Sequence, residues 1–337
     1  MNKFPFLNKL LDGYNLLSKE AGFLLEKIIS GELNPFQSAA VLVALRTKGE
    51  TVEEILGFIQ TMRKHMVKIK ASNAIDIVGT GGDRSGTFNI STAASLVVAG
   101  AGIPVAKHGN RAASSKCGSA DCLEALGVHI NLTPEQAEKV FKKTSFVFLF
   151  APNFHPAMKQ IAPIRKELGL RTIFNFLGPF LNPAGTKRQL LGVSNIKIAA
   201  KLAKVAVKLK FDHLLLVSSE DGMDEITTTA KTKVFEIKGK DLKTYTISPK
   251  QFGIKLAAKH ELAGKDIKNN VNIIKNILKG KKGAARDIVV LNSAAAIYLA
   301  GKTKNIFDGI LLAEQSIDSG KAMAILENLI KETQKYG

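Results

Sequence analysis

The chain has 337 residues, of which 45% are hydrophobic and 23% charged, and a formal net charge of +19. That length can bury a sizeable core and suggests two domains, or one large domain with an appendage. No run approaches the ~18 apolar residues of a membrane span, and the start is broken by Asn8, Lys9 and Asp12 before a signal-peptide core can form, so a cytoplasmic protein is expected. The two cysteines, Cys117 and Cys122, are too few for a disulfide framework and have no His/Cys cluster beside them for zinc; they are expected to be reduced and structural. The positive charge would reward contact with a polyanion through counterion release. Yet only eight of the 48 basic residues are arginine, the lysines are scattered, and there is no tryptophan to stack on bases, so a lysine-rich surface is expected and not a nucleic-acid site. The arginines say more: Arg84, Arg111 and Arg165 fall within or beside glycine- or proline-rich loops, where a planar fork can grip phosphate or carboxylate.

Residues 1–70 read as a compact helical unit. Phe6, Leu7, Leu10 and Leu11 offer one apolar face, and Ser18 is the expected cap of a helix that runs to residue 29 and ends at Gly31. Asn34 precedes Pro35, with Gln37 three residues beyond it, a capping box for a helix over 36–47 that stops at Gly49. Thr51 and Glu54 make a second box for a helix to about residue 66. No residue here carries evident chemistry, so the unit reads as a packing or oligomerisation module. From Ala74 the pattern becomes strands at 75–78, 103–106, 146–150, 190–193, 213–217 and 234–237. Helices alternate with them at 92–99, 120–126, 134–142 and 197–208, and continue at 270–278, 284–300, 306–319 and 321–331. This predicts an α/β domain over residues 71–337, with a mainly parallel central sheet flanked by helices. The segment of about 155–185 is expected to return to the helical unit, and the lysine-glycine segment 279–283 reads as a solvated turn.

The densest chemistry lies between residues 74 and 127. The first strand ends in Gly79-Thr80-Gly81-Gly82-Asp83, whose glycines allow a backbone that turns its N–H groups onto an anion. Helical periodicity starts near Asn89-Ile90-Ser91-Thr92, so unpaired N–H groups and a positive dipole end follow the loop, a place for phosphate. The spacing is neither the dinucleotide fingerprint nor a P-loop. Lys107-His108-Gly109-Asn110-Arg111 follows the next strand and emerges at the same carboxyl edge. Lys107 and Arg111 supply charge there and Asn110 an amide for orientation, while His108 taken alone reads equally well as structural. A third run, from Ala112 to Asp121, is again small and hydroxyl-rich before a helix, and two anion-binding loops suit a substrate with two separated phosphates.

Asp224 and Glu225 follow the strand at 213–217 and reach the same edge. A polyphosphate ringed by cations normally brings magnesium, which takes one or two carboxylates, and Ser91 can add a hydroxyl. The runs 163–169 and 171–183 combine a rigid loop with aromatic residues, an apolar wall for a ring with Arg165 for a carboxylate.

With GTGGD, TFNISTA, KHGNR, SSKCGSAD, HPAMK, PIRKELG, RTIFNFLGP, GMDEI and ARDIVVLNSAAA in this order, the chain resembles the anthranilate phosphoribosyltransferase family of tryptophan biosynthesis over nearly its whole length. The resemblance implies transfer of phosphoribose from 5-phosphoribosyl 1-pyrophosphate to the amino group of anthranilate, with release of pyrophosphate. It also implies a fold shared with pyrimidine nucleoside phosphorylases and a homodimer formed through the helical parts. By position it implies a phosphoribosyl pyrophosphate site of Gly79, Gly82, Asp83, Thr87, Asn89, Ile90, Ser91, Thr92, Lys107 and Ser119. It implies Ser91, Asp224 and Glu225 for two magnesium ions held with the pyrophosphate, and Gly79, Asn110, Arg165, His108, His155 and Gly178 for the anthranilate tunnel. Lys107 and Arg111 are candidates for charge stabilisation, and no general base is named. The absence of a Ser-His-Asp or Cys-His set agrees with a reaction carried by positioning and electrostatics. A pyrimidine nucleoside phosphorylase is the nearest enzymatic alternative, and Asp224-Glu225 beside pyrophosphate-sized loops argues against it. A nucleic-acid-binding relative would instead show salt-sensitive retention on DNA or RNA.

Overall fold

The computed structural model describes residues 5–112 and 117–337. Its strands are β1 (Asp76–Gly79), β2 (Val105–Gly109), β3 (Phe146–Phe150), β4 (Arg188–Gly192), β5 (His213–Ser219), β6 (Thr232–Lys238) and β7 (Asp241–Ile247). Five run in the order β1-β4-β5-β6-β7, and β2 and β3 form a parallel pair that a bridge between Ile75 and Val105 joins to β1. β1, β4 and β5 are mutually parallel, whereas β6 and β7 are added antiparallel at one edge. β7 has no counterpart among the predicted strands. Its residues are almost all exposed, so no apolar run marks it, and it is held by a two-residue hairpin loop that begins with Gly239 at φ 62°. β2 starts two residues later than the spacing predicts, which places Lys107, His108 and Gly109 inside the strand and not in the loop after it.

Four helices precede the sheet: α1 (Pro5–Leu11), α2 (Ser18–Ile29), α3 (Pro35–Lys48) and α4 (Val52–His65). Then come α5 (Ile90–Gly100), α6 (Ser119–Ala125), α7 (Pro134–Thr144), α8 (Ala151–Phe154), α9 (Met158–Leu168), α10 (Phe174–Leu177) and α11 (Ile196–Lys208). The last four are α12 (Ile267–Leu278), α13 (Ala284–Leu299), α14 (Ile306–Asp318) and α15 (Lys321–Thr333). No helix among the described residues is long and apolar enough to cross a membrane.

Successive side chains of a strand point to opposite faces, and here they feed two cores. Leu215 and Val217 of β5 join a cluster with α5, α13, α14 and α15; Leu214 and Leu216 join a second with α11 and the helical unit. That second cluster also takes Ala157, Ile161, Ile173, Phe174, Leu177 and Phe180, so the segment around 157–181 shares its core with α2, α3 and α4.

The helical unit is tied by its caps. Asn34 accepts the Gln37 N–H (2.9 Å) while the Gln37 side chain accepts the Asn34 N–H (3.0 Å). Glu54, fully buried, accepts the Thr51 N–H (2.8 Å), the Leu16 N–H (2.9 Å) and the Lys48 ammonium (3.0 Å). Leaving either half of such a buried pair alone costs about 3–5 kcal/mol. Two expectations fail here. Ser18 opens α2 and does not cap it, because the N–H of the boundary residue Leu17 is taken by the Glu20 carboxylate (2.7 Å). Leu11 is 66% exposed and faces away from the core that Leu10 enters.

Candidate active site

The register of β1 on β4 puts Gly79 opposite Gly192 at the carboxyl edge, with Val217 of β5 next in line. A Cβ on Gly192 would lie 1.6 Å from the Asp224 carbonyl oxygen, and one on Gly79 would lie 2.3 Å from Asp224 Oδ2. Only paired glycines leave room for the acidic loop to settle on the strand ends. Asp224 Oδ2 accepts the Gly81 N–H (2.7 Å), and the Thr80 N–H donates to the Gly192 carbonyl (2.9 Å). From below, Asn292 of α13 clamps Ile226, the residue after the acidic pair: its side chain accepts the Ile226 N–H (3.0 Å) and donates to the Ile226 carbonyl (2.8 Å).

The loop between β1 and α5 carries left-handed φ values at Gly81 (70°), Gly82 (68°), Arg84 (58°) and Gly86 (66°), the kind of backbone that gathers N–H groups into an anion-binding concavity. α5 then begins at Ile90 without a side-chain cap, with the Ile90 N–H turned back onto the Phe88 carbonyl (2.8 Å), and its positive dipole end faces the loop. The next N–H, on Ser91, donates to Glu225 Oε1 (3.2 Å). The Lys107 ammonium reaches the Ser91 hydroxyl (3.2 Å) and the Ile77 carbonyl (2.6 Å). Asn89 joins this helix start to the third loop through Cys117, whose carbonyl accepts its amide (3.2 Å), and Ser119 reaches the Asn110 carbonyl (3.4 Å). Thr87 lies half-buried before the helix, Asp83 lies half-buried in the loop, and Ile90 and Thr92 are buried, the Thr92 hydroxyl without a hydrogen-bond partner among the described residues. Ala113, Ser114, Ser115 and Lys116 of the third loop lie outside the described residues. Cys117 and Cys122 form no disulfide.

Burial, together with the neighbouring Asp83 charge, pushes the Asp224 carboxyl up to about 7. Burial and Asp224 push Glu225 up to about 8, with Lys107 opposing. Burial likewise pulls Lys107 below the usual lysine range, against the pull of Asp76 and Glu225. Two adjacent buried carboxyls whose proton affinity is raised by burial and by each other are a site where a cation would be favoured. Among the described residues no three His, Cys, Asp or Glu side chains gather at metal-holding distances. The chain therefore offers a partial ligand set, Asp224, Glu225 and the Ser91 hydroxyl, which suits magnesium, an ion that keeps waters and takes phosphate oxygens for the rest.

On the other side of Lys107, the His108 and His155 rings meet Nε2 to Nε2 at 3.1 Å. Burial holds His108 down at about 3 and His155 at about 4, so both are neutral at pH 7 and one donates to the other. A hydrogen bond with the Gly178 backbone opposes the His108 shift, which places Gly178 beside this pair, and open space lies where its side chain would be. Arg165 is not in a loop. It stands in the last turn of α9, which includes Pro163, the residue that makes the segment read as irregular. Its guanidinium lies 5.7 Å over the Phe174 ring, half-buried. Asn110 is exposed at the end of β2. Arg111 is turned outward, forked onto Glu124 (2.8 and 3.1 Å) and bonded to Asp121 (3.0 Å).

Sequence reasoning missed the support beneath these groups. Asp76, wholly buried in β1, accepts the Asn182 amide (2.8 Å) and the His108 N–H (3.3 Å), and Asn182 also bonds the Ala106 carbonyl (2.7 Å). Burial, eased by Lys107, brings Asp76 to about 6. An aspartate inside the otherwise apolar run at 74–78 is the signal that could have found it.

An anion-cradling loop, a helix start and a buried acidic pair at the carboxyl edge of an α/β sheet define an enzyme for phosphorylated substrates. Two family models match, "Glycosyl transferase family, helical bundle domain" over residues 4–66 and "Glycosyl transferase family, a/b domain" over 71–323. An anthranilate phosphoribosyltransferase from Methanobrevibacter smithii is 49% identical over 326 residues, covering 96% of this chain and 97% of the relative. One from Azorhizobium caulinodans is 46% identical, covering 99% and 98%. Among solved structures, the anthranilate phosphoribosyltransferase of Thermus thermophilus superposes with a TM-score of 0.91 at 40% identity, over 97% of this chain and 99% of that one. The Saccharomyces cerevisiae enzyme, solved in complex with phosphoribosyl pyrophosphate and magnesium, gives 0.90 at 31% identity over 98% and 97%. The chain belongs to the anthranilate phosphoribosyltransferase family.

Proposed function

We infer that the chain transfers the phosphoribosyl group of 5-phosphoribosyl 1-pyrophosphate to the amino group of anthranilate, giving N-(5-phosphoribosyl)anthranilate and pyrophosphate, an early step of tryptophan biosynthesis. The observation that carries this is the seat of Asp224 on Gly79 and Gly192, which holds a carboxylate pair against a phosphate-sized loop. A nucleoside phosphorylase working on inorganic phosphate has no use for such a pair.

In this reading the N–H groups of the 79–83 loop and of the α5 start, with Thr87, Asn89 and Ser119, hold the donor. Magnesium on Asp224, Glu225 and Ser91 supplies positive charge to the departing pyrophosphate. Lys107, fixed by Ile77 and Ser91, adds a second cation at that place and needs no proton transfer to act. Arg165 takes the anthranilate carboxylate, and the neutral His108–His155 pair, Gly178 and Asn110 shape the acceptor side. Arg111, engaged by Glu124 and Asp121, stands outside the charge-stabilising set. Holding the aryl amine near C1′ of the donor as charge develops there supplies most of the rate.

The helical unit presents Leu11, Leu17, Phe23 and Phe36 to solvent, and Phe36 is 86% exposed. A second copy covering this surface makes a homodimer, and the cytoplasm, where biosynthetic donors are made, is the compartment.

The test is loss of anthranilate fluorescence on mixing with phosphoribosyl pyrophosphate and magnesium. Decay that needs all three components, and that disappears in the Asp224→Asn, Glu225→Gln double variant with its fold intact, is the expected result. No decay at any magnesium concentration would overturn the assignment.

A further inference from the structure

Arg171 stands between three parts that the reaction needs in fixed relation. Its guanidinium donates to the Gly82 carbonyl in the donor loop. Gly82 is at φ 68°, and a Cβ there would fall on that guanidinium, so the loop and the arginine are fitted to each other. The Arg171 carbonyl in turn accepts from Arg46 of α3, in the helical unit. Three residues on, Phe174 carries the Arg165 guanidinium on its ring and leans on Phe58 of α4, with ring centroids 5.8 Å apart. The Thr172 N–H is tied to the Asn175 side chain (2.9 Å), so a pull at Arg171 passes to the turn that bears Phe174.

We propose that Arg171 is a positioning residue that couples the donor loop to the acceptor wall, so that filling one side sets the other. The chain of contact runs from Gly82 through Arg171 to Phe174 and Arg165, with Arg46 anchoring it to the helical unit. Arg171 is exposed, so its bond to Gly82 can be made and broken as the loop takes up its ligand. Coupling between two sites is reciprocal and needs one element whose arrangement both ligands bias. This proposal rests on the site assignment above.

The experiment uses the full chain and reads anthranilate affinity with and without saturating magnesium pyrophosphate, which occupies the donor side without reacting. In the wild type the two affinities are expected to differ at least about fivefold, the lower end of ordinary coupling. Arg171→Ala brings the ratio to about one and raises KM for both substrates by about tenfold, the loss of one charge-assisted hydrogen bond, while kcat falls less. A wild-type ratio of one, or a ratio unchanged in Arg171→Ala, overturns the proposal, as does a rise in the donor KM alone, which would make Arg171 a direct ligand. Should Arg171→Ala fail to fold, Arg46→Ala cuts the same relay at its outer end and must reduce the ratio. Wild-type enzyme with no transferase activity would instead sink the functional reading, a distinguishable failure.

Discussion

Arg165 and Arg111 show how far a side chain's surroundings decide its use. Both are arginines near the cleft, but Arg111 is held by two acids of α6, whereas Arg165 has a ring beneath it and no carboxylate partner among the described residues. A guanidinium with its fork unclaimed is suited to an external carboxylate. Arg165→Ala should therefore raise the KM for anthranilate at least about tenfold, the scale of one charge-assisted bond, with kcat little changed and the donor KM moved by no more than the roughly fivefold coupling. Steady-state kinetics with each substrate varied will check it.

Far from the cleft, Glu236 takes hydrogen bonds from His213 (2.8 Å) and Tyr298 (2.7 Å) and pairs with Lys238 (3.1 Å). Burial alone would raise its pKa, but these partners outweigh burial and hold it at about 2, against 4.5 for an ordinary glutamate. The folded chain thus favours the charged form. The stabilisation is complete above the unfolded value and fades as pH falls from 4.5 towards 2. Glu236→Gln should cost about 2–3 kcal/mol at pH 7, with the gap to wild type closing between those two pH values in stepwise urea titrations.

Among the elements, β1 and β4 set the site. Their register makes two glycines neighbours, and the room above them is the room Asp224 occupies. Gly192→Ala should displace the acidic loop and lower kcat/KM at least about hundredfold, with a raised magnesium requirement, since a shift near 1 Å is enough to spoil a reacting geometry. Magnesium titrations of the initial rate decide it. Most of these elements are legible in the chain because apolar runs and glycine-rich loops mark them: β3 falls where its five apolar residues stand, and the boxes at Asn34 and Thr51 open α3 and α4 as their residues require. What is not legible depends on partners distant in sequence. The polar strand β7 exists because β6 offers it an edge, α9 forms around Pro163 because Ile161 is buried against the helical unit, and Asp76 is tolerated in β1 because Asn182 reaches it from 106 residues away. Candidate residues marked by loop chemistry, such as Ser91 and Asp224, come from sequence; the clamp by Asn292 and the relay through Arg171 come only from the fold.

For the whole molecule, the exposed apolar side chains of α2, α3 and the turn before α2 predict association. Light scattering should give twice the chain mass at micromolar concentration, and Phe36→Glu combined with Leu17→Glu should give the single-chain mass with unfolding temperature lowered only by loss of the partner.

The shared second core has a consequence for how the protein is made. The apolar faces of α2, α3 and α4 are covered in part by α9, α10 and α11, which come much later in the chain. During translation the helical unit therefore leaves the ribosome about 140 residues before α11 is complete, a wait of roughly 7–28 s at ~5–20 residues per second. Throughout that interval the first helices carry an uncovered greasy face, so the nascent chain, more than the finished enzyme, is the form of this protein that a chaperone has reason to hold.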